Sequence, residues 1–275
     1  MARHTFLRPN SYRGMLVVIL ASLAYLFLIL PSLVIVPLSF GNRVELIFPP
    51  SYYSLDLYRD YFGSQSWIDV TLRSAQVGVI AAMLALLVGV PGAYALVRTD
   101  FPGKKLLVIV LLSPILVPII VISLGIYLYF SRLSLSGTML GLVLAHTMYV
   151  TPFVIITTAA GISQLDEHLE QVATIMGATR ARTFLQVVLP QLTPSIVSAG
   201  LFAFLMSFDE VVIAWFITGP STMTLPVKMY TSIKWESAPV LAAIATLLTL
   251  LSVLICLIGL ALSRGAHSSI EDTRL

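Results

Sequence analysis

Residues 70–97, VTLRSAQVGVIAAMLALLVGVPGAYALV, hold a single charged side chain, Arg73, in an otherwise apolar run. At a helical rise of 1.5 Å per residue the run is about 40 Å long, enough to cross a hydrocarbon core of about 30 Å with some tilt. Five further runs share the pattern, at 15–40, 106–130, 138–162, 194–218 and 239–263. Of the 275 residues, 58% are hydrophobic and 11% charged, where a soluble domain carries about a quarter charged residues. A soluble core has no room for that excess, whereas in lipid the side chains face hydrocarbon and helices satisfy their own backbone. The expected fold is all-α and integral to a membrane, with six transmembrane helices in a domain at 15–263. A segment 1–14 precedes it and a tail 264–275 follows.

Several function classes are excluded or weakened by the remaining residues. Cys256 is the only cysteine, so neither an internal disulfide nor a cluster of spaced thiolates is available. The net charge of +3 is dispersed among loops rather than gathered on one face, which gives no footing for nucleic acid. The first apolar run is longer than the roughly 7–15 apolar residues of a signal peptide and reads as a retained helix. No GxxxxGK[ST] run is present, so the chain is not expected to bind ATP itself. Neither HExxH nor GxSxG occurs, which leaves an intramembrane enzyme remote.

Lys and Arg set the expected orientation. With both termini cytoplasmic, the inner side carries Arg3, Arg8, Arg13, Arg98, Lys104, Lys105, Arg180, Arg182, Arg264 and Arg274. The outer side then carries Arg43, Arg59, Arg73, Arg132, Lys228 and Lys234, a smaller set. Tyr52, Tyr53, Tyr58, Tyr61 and Trp67 crowd the first outer loop as interfacial anchors. Prolines at 31, 37, 91, 114, 118 and 152 predict kinked helices, and Gly78, Gly89, Gly92 and Gly125 allow close helix contact.

The inner segment 163–193, SQLDEHLEQVATIMGATRARTFLQVVLPQLT, is long for a simple connection. Leu165, Leu169, Val172 and Met176 recur at helical spacing, with Asp166, Glu167 and Glu170 toward the helix start. Gly177 suits the left-handed residue that ends such a helix, and Thr179 suits the cap of the next. By periodicity alone this is an amphipathic helix lying on the membrane face. The run Gln171, Val172, Ala173, then Gly177, then Val187, Val188, Leu189 and Pro190 resembles, in spacing, the EAA loop of ABC importer permeases. It departs at Gln171, Val172 and Val187, and Glu170 stands one residue early. That resemblance implies a type I ABC importer permease fold whose cytoplasmic coupling helix docks in a groove of an ATPase subunit. Its contact residues would be Glu170, Gln171, Ala173, Met176, Gly177, Ala178, Leu189 and Pro190.

Within the fifth run, FAFLMSFDEVVIAWFITGP, lie Asp209 and Glu210, the acidic residues set well inside a proposed span. An ionised carboxylate there costs on the order of 3 kcal/mol or more, so it should face the bundle interior or water. Adjacent helical positions point about 100° apart, so one is expected to face a cavity and the other to be paired or nearer the interface. Pairing with Arg73 or His146 is the structural alternative, and a charge offered to a cationic substrate is the functional one. Phe208 and Trp215 flank the pair, Trp215 reading as an amine-stacking face or an interfacial anchor. His146 reads as a packing or cavity-wall residue, with a relay or ligand role as the alternative.

The stretch SFDEVVIAWFITGPSTMTLPVKMYTSIKW is similar to that of the PotC-type spermidine/putrescine permeases. By that resemblance Asp209, Glu210, Trp215, Phe208 and His146 lie along the substrate path, and the outer segment Gly219 to Ser237 faces a binding protein. Relatives also carry opines or amino-acid derivatives. The resemblance implies a non-catalytic subunit of the bacterial inner membrane, without a cofactor of its own. ATP and Mg would be bound by two partner ATPase subunits, and a second homologous permease subunit and an extracytoplasmic solute-binding protein would complete the complex. The competing class is an ion-coupled secondary carrier with Asp209 or Glu210 as its protonation site. Neither the internal duplication nor the broken paired helices that such carriers show is seen in the sequence.

Overall fold

Small residues dictate how the two longest-packed helices meet. In a computed structural model describing residues 12–44, 46–235 and 238–271, with side chains for 15–44, 46–235 and 238–259, α3 (Gln65–Arg98) buries Ser74, Gly78, Ala81, Ala82, Ala85, Gly89 and Ala93. The partner is α6 (Met139–Ile162), and a Cβ added at Gly89 would stand 2.8 Å from Val154 Cγ1. Backbones approach this closely only where side chains are absent or single methyls, the usual device of helices that pack in lipid. Expected calls on residues 1–11 and 272–275, Arg3, Arg8 and Arg274 among them, lie outside the described residues.

Two compact units make up the chain. The first comprises Met1–Ser64 and Ser237–Leu251, the second Gln65–Glu236 and Ser252–Leu275. In the first, α1 (Tyr12–Leu38) leads to a loop and α2 (Asp56–Gly63), with Ser39 Oγ and Tyr58 Oη 2.7 Å apart and Arg43 paired to Asp60 at 2.7 Å. In the second, after α3, come α4 (Lys104–Leu116), α5 (Ile119–Arg132), α6, α7 (Glu167–Ile175), α8 (Arg180–Thr183), a π-helical turn Phe184–Val188, α9 (Leu189–Gln191), α10 (Thr193–Phe208), α11 (Val212–Ile217) and α12 (Leu225–Trp235). The last helix, α13 (Val240–Glu271), runs through parts of both units. The described residues contain no strand.

Among the described residues, four helices are long and apolar enough to cross a membrane unbroken: Met15–Leu38, Gln65–Arg98, Met139–Ile162 and Val240–Gly259. Two bent pairs bring the number to six if each counts as one span. Two runs expected as spans with at most a proline kink, 106–130 and 194–218, are broken, which also corrects the expectation of no broken helices. Between α4 and α5 the chain turns by 109°. Val117 before Pro118 is extended, at ψ 135°, because the proline ring disfavours a helical conformation in the residue before it. Each half is about 20 Å long, too short to cross 30 Å alone. The fifth run is interrupted after Phe208, and a second, 75° bend precedes it between α9 and α10.

Three apolar clusters fill the second unit. One gathers Val77, Ile126, Phe130, Leu142, Ile213 and Ile217, joining α3, α5, α6 and α11. Another joins α3, α6 and α10 through Ala82, Ala85, Val150, Val154, Ala199 and Ala203. The third, with Ala93, Ile155, Ile162, Val188 and Leu192, ties the segment after α8 to the ends of α3 and α6.

Candidate functional site

The segment between α6 and α10 is a helix, a tight turn and a second helix, each boundary fixed by a specific residue. Asp166 caps α7 by accepting from the His168 amide at 3.0 Å. Its exit is a Schellman closure: Gly177 N–H donates to Thr174 O at 3.0 Å and Ala178 N–H to Ala173 O at 3.0 Å. That geometry needs a left-handed residue, and Gly177 has φ +87° with no atom within 4 Å of a Cβ placed there. Thr179 then caps α8 by accepting from the Arg182 amide at 3.3 Å.

No side chain of α7 is buried. Leu169 and Val172 are exposed, and Ile175 and Met176 are 84% and 82% exposed. The apolar residues of this amphipathic helix thus point away from its own chain and are open to a partner or to the membrane face. Gln171 and Gly177 are also exposed, Ala173 and Ala178 intermediate, Leu189 packs against the α3–α6–α10 cluster, and Pro190 is exposed in α9.

Glu170, expected among the residues that contact the ATPase, is not on the outward face with Ile175 and Met176 but faces inward. Its carboxylate accepts from Tyr94 Oη at 2.7 Å and from Arg98 Nε at 2.8 Å, and the pair is largely enclosed, at 15% and 11% side-chain exposure. Glu167, more exposed, takes Arg98 Nη1 at 2.6 Å. Beside this cluster lies a cavity of about 550 Å³ lined by Tyr94, Arg98, Glu167, Glu170, Arg180 and Thr183 among others. Sequence reasoning counted Arg98 only as a topology charge. The signal that could have found it is a lone arginine in the last turn of α3 with two glutamates, i and i+3, opening α7.

The Asp209–Glu210 pair lies in a helix break, not on a continuous helix. Asp209 ends α10, its amide bonded to Leu205 O at 3.1 Å, and its side chain is exposed. Glu210 is 7% exposed, and Oε1 accepts from the amides of Val212 at 2.7 Å and Ile213 at 3.0 Å, opening α11. A carboxylate at a helix start satisfies otherwise unpaired amides and sits well with the helix dipole. Neither forms an ion pair with Arg73 or His146: Arg73 donates to Met223 O at 3.0 Å, and His146 Nδ1 lies 2.8 Å from Ser207 Oγ.

The other expected path residues separate. His146 is 1% exposed and holds α6 to α10 through Ser207, its Nε2 having no partner in the structure. Phe208 is 4% exposed and packs on Phe204, while Trp215 is partly exposed and edge-on to Tyr230 at 5.1 Å. Past α11 the chain is stitched to the start of α6: Gly137 N–H donates to Ile217 O at 2.7 Å, and Gly137 meets Gly219 where neither carries a Cβ.

Residues 81–265 match the family described as binding-protein-dependent transport system inner membrane component. The putrescine transport system permease protein PotI of Escherichia coli K12 is 29% identical over 238 residues, covering 84% of each chain. The spermidine/putrescine transport system permease protein PotC of the same strain is 28% identical over 244 residues, 87% of this chain and 90% of that protein. In fold, a chain of a bacterial ABC transporter that imports the acidic polysaccharide alginate superposes at TM-score 0.69 with 14% identity, covering 94% of this chain and 98% of that one. A chain of the bacterial alginate transporter in complex with an alginate pentasaccharide-bound periplasmic protein superposes at 0.64 with 15% identity, covering 90% and 91%.

Proposed function

Because this chain belongs to the family of binding-protein-dependent transport system inner membrane components, we propose that it conducts polyamines, or a closely related small cation, through an ATP-driven importer. As a permease it is a non-catalytic membrane subunit, and hydrolysis falls to ATPase partners. Both termini are assigned to the cytoplasm, which puts α7 and α8 on the side where nucleotide is available. The observation that carries the reading is the outward face of α7, with Ile175 and Met176 exposed beside a glycine turn. Helix-in-groove docking buries such a face against a partner. Two ATPase subunits, a second permease subunit and an extracytoplasmic binding protein complete the assembly, and the substrate path between the two permease subunits opens to one side and then the other as the ATPases close and open.

The cationic substrate class rests on Asp209 together with the putrescine and spermidine relatives. At the exposed end of α10 its carboxylate is free to attract an amine, and in a membrane cavity of low dielectric that attraction exceeds its value in water. Glu210 holds the break in shape. The test is uptake of radiolabelled putrescine into proteoliposomes holding the complex with its binding protein outside. ATP inside the proteoliposomes, where α7 faces on this orientation, should drive uptake, and omitting the ATPase should abolish it. Uptake driven by a proton gradient without ATP would instead make the chain a secondary carrier.

A further inference from the structure

Arg98 has three elements in its grasp. From the last turn of α3, Nε donates to Glu170 and Nη1 to Glu167, both on α7, while Nη2 reaches the carbonyls of Ile162 at 3.3 Å and Leu165 at 3.2 Å, at and just beyond the end of α6. One planar guanidinium thus ties the end of α3, the exit of α6 and the first turns of α7 together. Tyr94, one turn back on α3, occupies the second oxygen of Glu170 and packs its ring, tilted by 46°, against Phe184 with centroids 4.9 Å apart. Phe184 opens the π-helical turn that leads through α9 into α10, the helix that ends at Asp209.

These bonds matter because α7 has little else to hold it. Helices are usually anchored by an apolar face, and α7 turns that face away, burying none of its own side chains. Among the five ion pairs of the described residues, only Arg98–Glu170 is enclosed on both sides; Arg43–Asp60, Arg59–Asp56 and Lys104–Asp100 each leave at least one side chain more than half exposed, as does Glu167 with Arg98. The open cavity beside the cluster leaves α7 room to move.

We infer that the Arg98–Glu170–Tyr94 cluster is the joint through which movement of α7 is passed to α3, α6 and α10. Arg98 is a positioning residue: it touches neither substrate nor nucleotide, and it sets whether a displacement of α7 reaches the membrane helices. The rigid fork is required, because a lysine offers a single point charge that cannot hold two carboxylates and two carbonyls in fixed directions. The inference rests on the reading of α7 as the ATPase-docking element.

The test uses the whole complex in proteoliposomes with Arg98→Lys, Glu170→Gln and Tyr94→Phe, measuring ATPase retention, ATP hydrolysis and putrescine uptake. The joint predicts that ATPase stays bound and hydrolysis holds within about twofold, while uptake per ATP hydrolysed falls about fivefold or more in Arg98→Lys and Glu170→Gln. Tyr94→Phe, which removes only one hydroxyl and keeps the ring on Phe184, supplies the milder variant should the others assemble poorly, with a loss of about twofold in the same ratio. An unchanged ratio, or uptake falling only in step with hydrolysis, overturns the joint. A parallel Met176→Asp variant separates the two layers: if it retains ATPase, the docking reading itself falls, whereas if it sheds ATPase and the ratio in Arg98→Lys is normal, only the joint falls.

Discussion

Glu170 and Glu210 are two enclosed glutamates at helix beginnings, held in opposite ways. Glu170 is gripped by side chains of a different helix, Arg98 and Tyr94. Glu210 is gripped by the backbone of the helix it opens, through Val212 and Ile213. A carboxylate bound to side chains links elements that are free to part, and one bound to its own backbone fixes a local turn. The first suits a moving connection, the second a break that must keep its shape.

The largest effect is expected at the backbone-held site. Glu210→Ala strands two amides in an enclosed position, at about 1–3 kcal/mol each, and should sharply lower the thermal stability of detergent-solubilised protein. Glu210→Gln keeps the accepting oxygen and should lose about 1 kcal/mol or less. Equal stability of the two variants would remove the distinction drawn between the two glutamates. Next comes the turn that presents α7. Gly177→Val forces a branched residue to φ +87°, costing about 1–2 kcal/mol with no clash to add, so ATPase copurification should drop about tenfold while insertion is retained. Gly177→Asn, which tolerates the left-handed region, should fall between. The smallest change in stability belongs to the exposed Asp209. Asp209→Asn should leave unfolding within about 0.5 kcal/mol of wild type, yet cut uptake of a diamine about tenfold.

Much of this was written in local pattern. Apolar runs gave the spans that remain straight, because hydropathy reports burial in lipid directly. The stripe through Leu169, Val172 and Met176, the left-handed Gly177 and the capping Thr179 are all set by neighbours within a few residues. Three features escaped. Pro114 and Pro118 predict a kink, but hydropathy carries no direction, so that the bend reaches 109° and parts two short helices is invisible when both arms are equally apolar. Asp209 and Glu210 were treated as consecutive positions on one helix, although an acidic residue just before Val212 is a helix-start signal that deserved to interrupt the run. Arg98 was missed for a different reason: its carboxylate partners lie 69 and 72 residues away, a separation that periodicity cannot sense.

Whether the outward face of α7 is covered by an ATPase can be read by placing a cysteine at Met176 in a chain whose Cys256 is replaced by serine, attaching a short thiol-reactive photocrosslinker to it, and illuminating the assembled complex in membranes, so that the photoreactive end inserts into whatever lies against α7. The account predicts a crosslinked band containing the ATPase subunit, formed in inside-out vesicles and weakened when nucleotide changes the docking. Labelling of the same cysteine by an impermeant reagent from the outer side of intact cells, with no ATPase band, would contradict it.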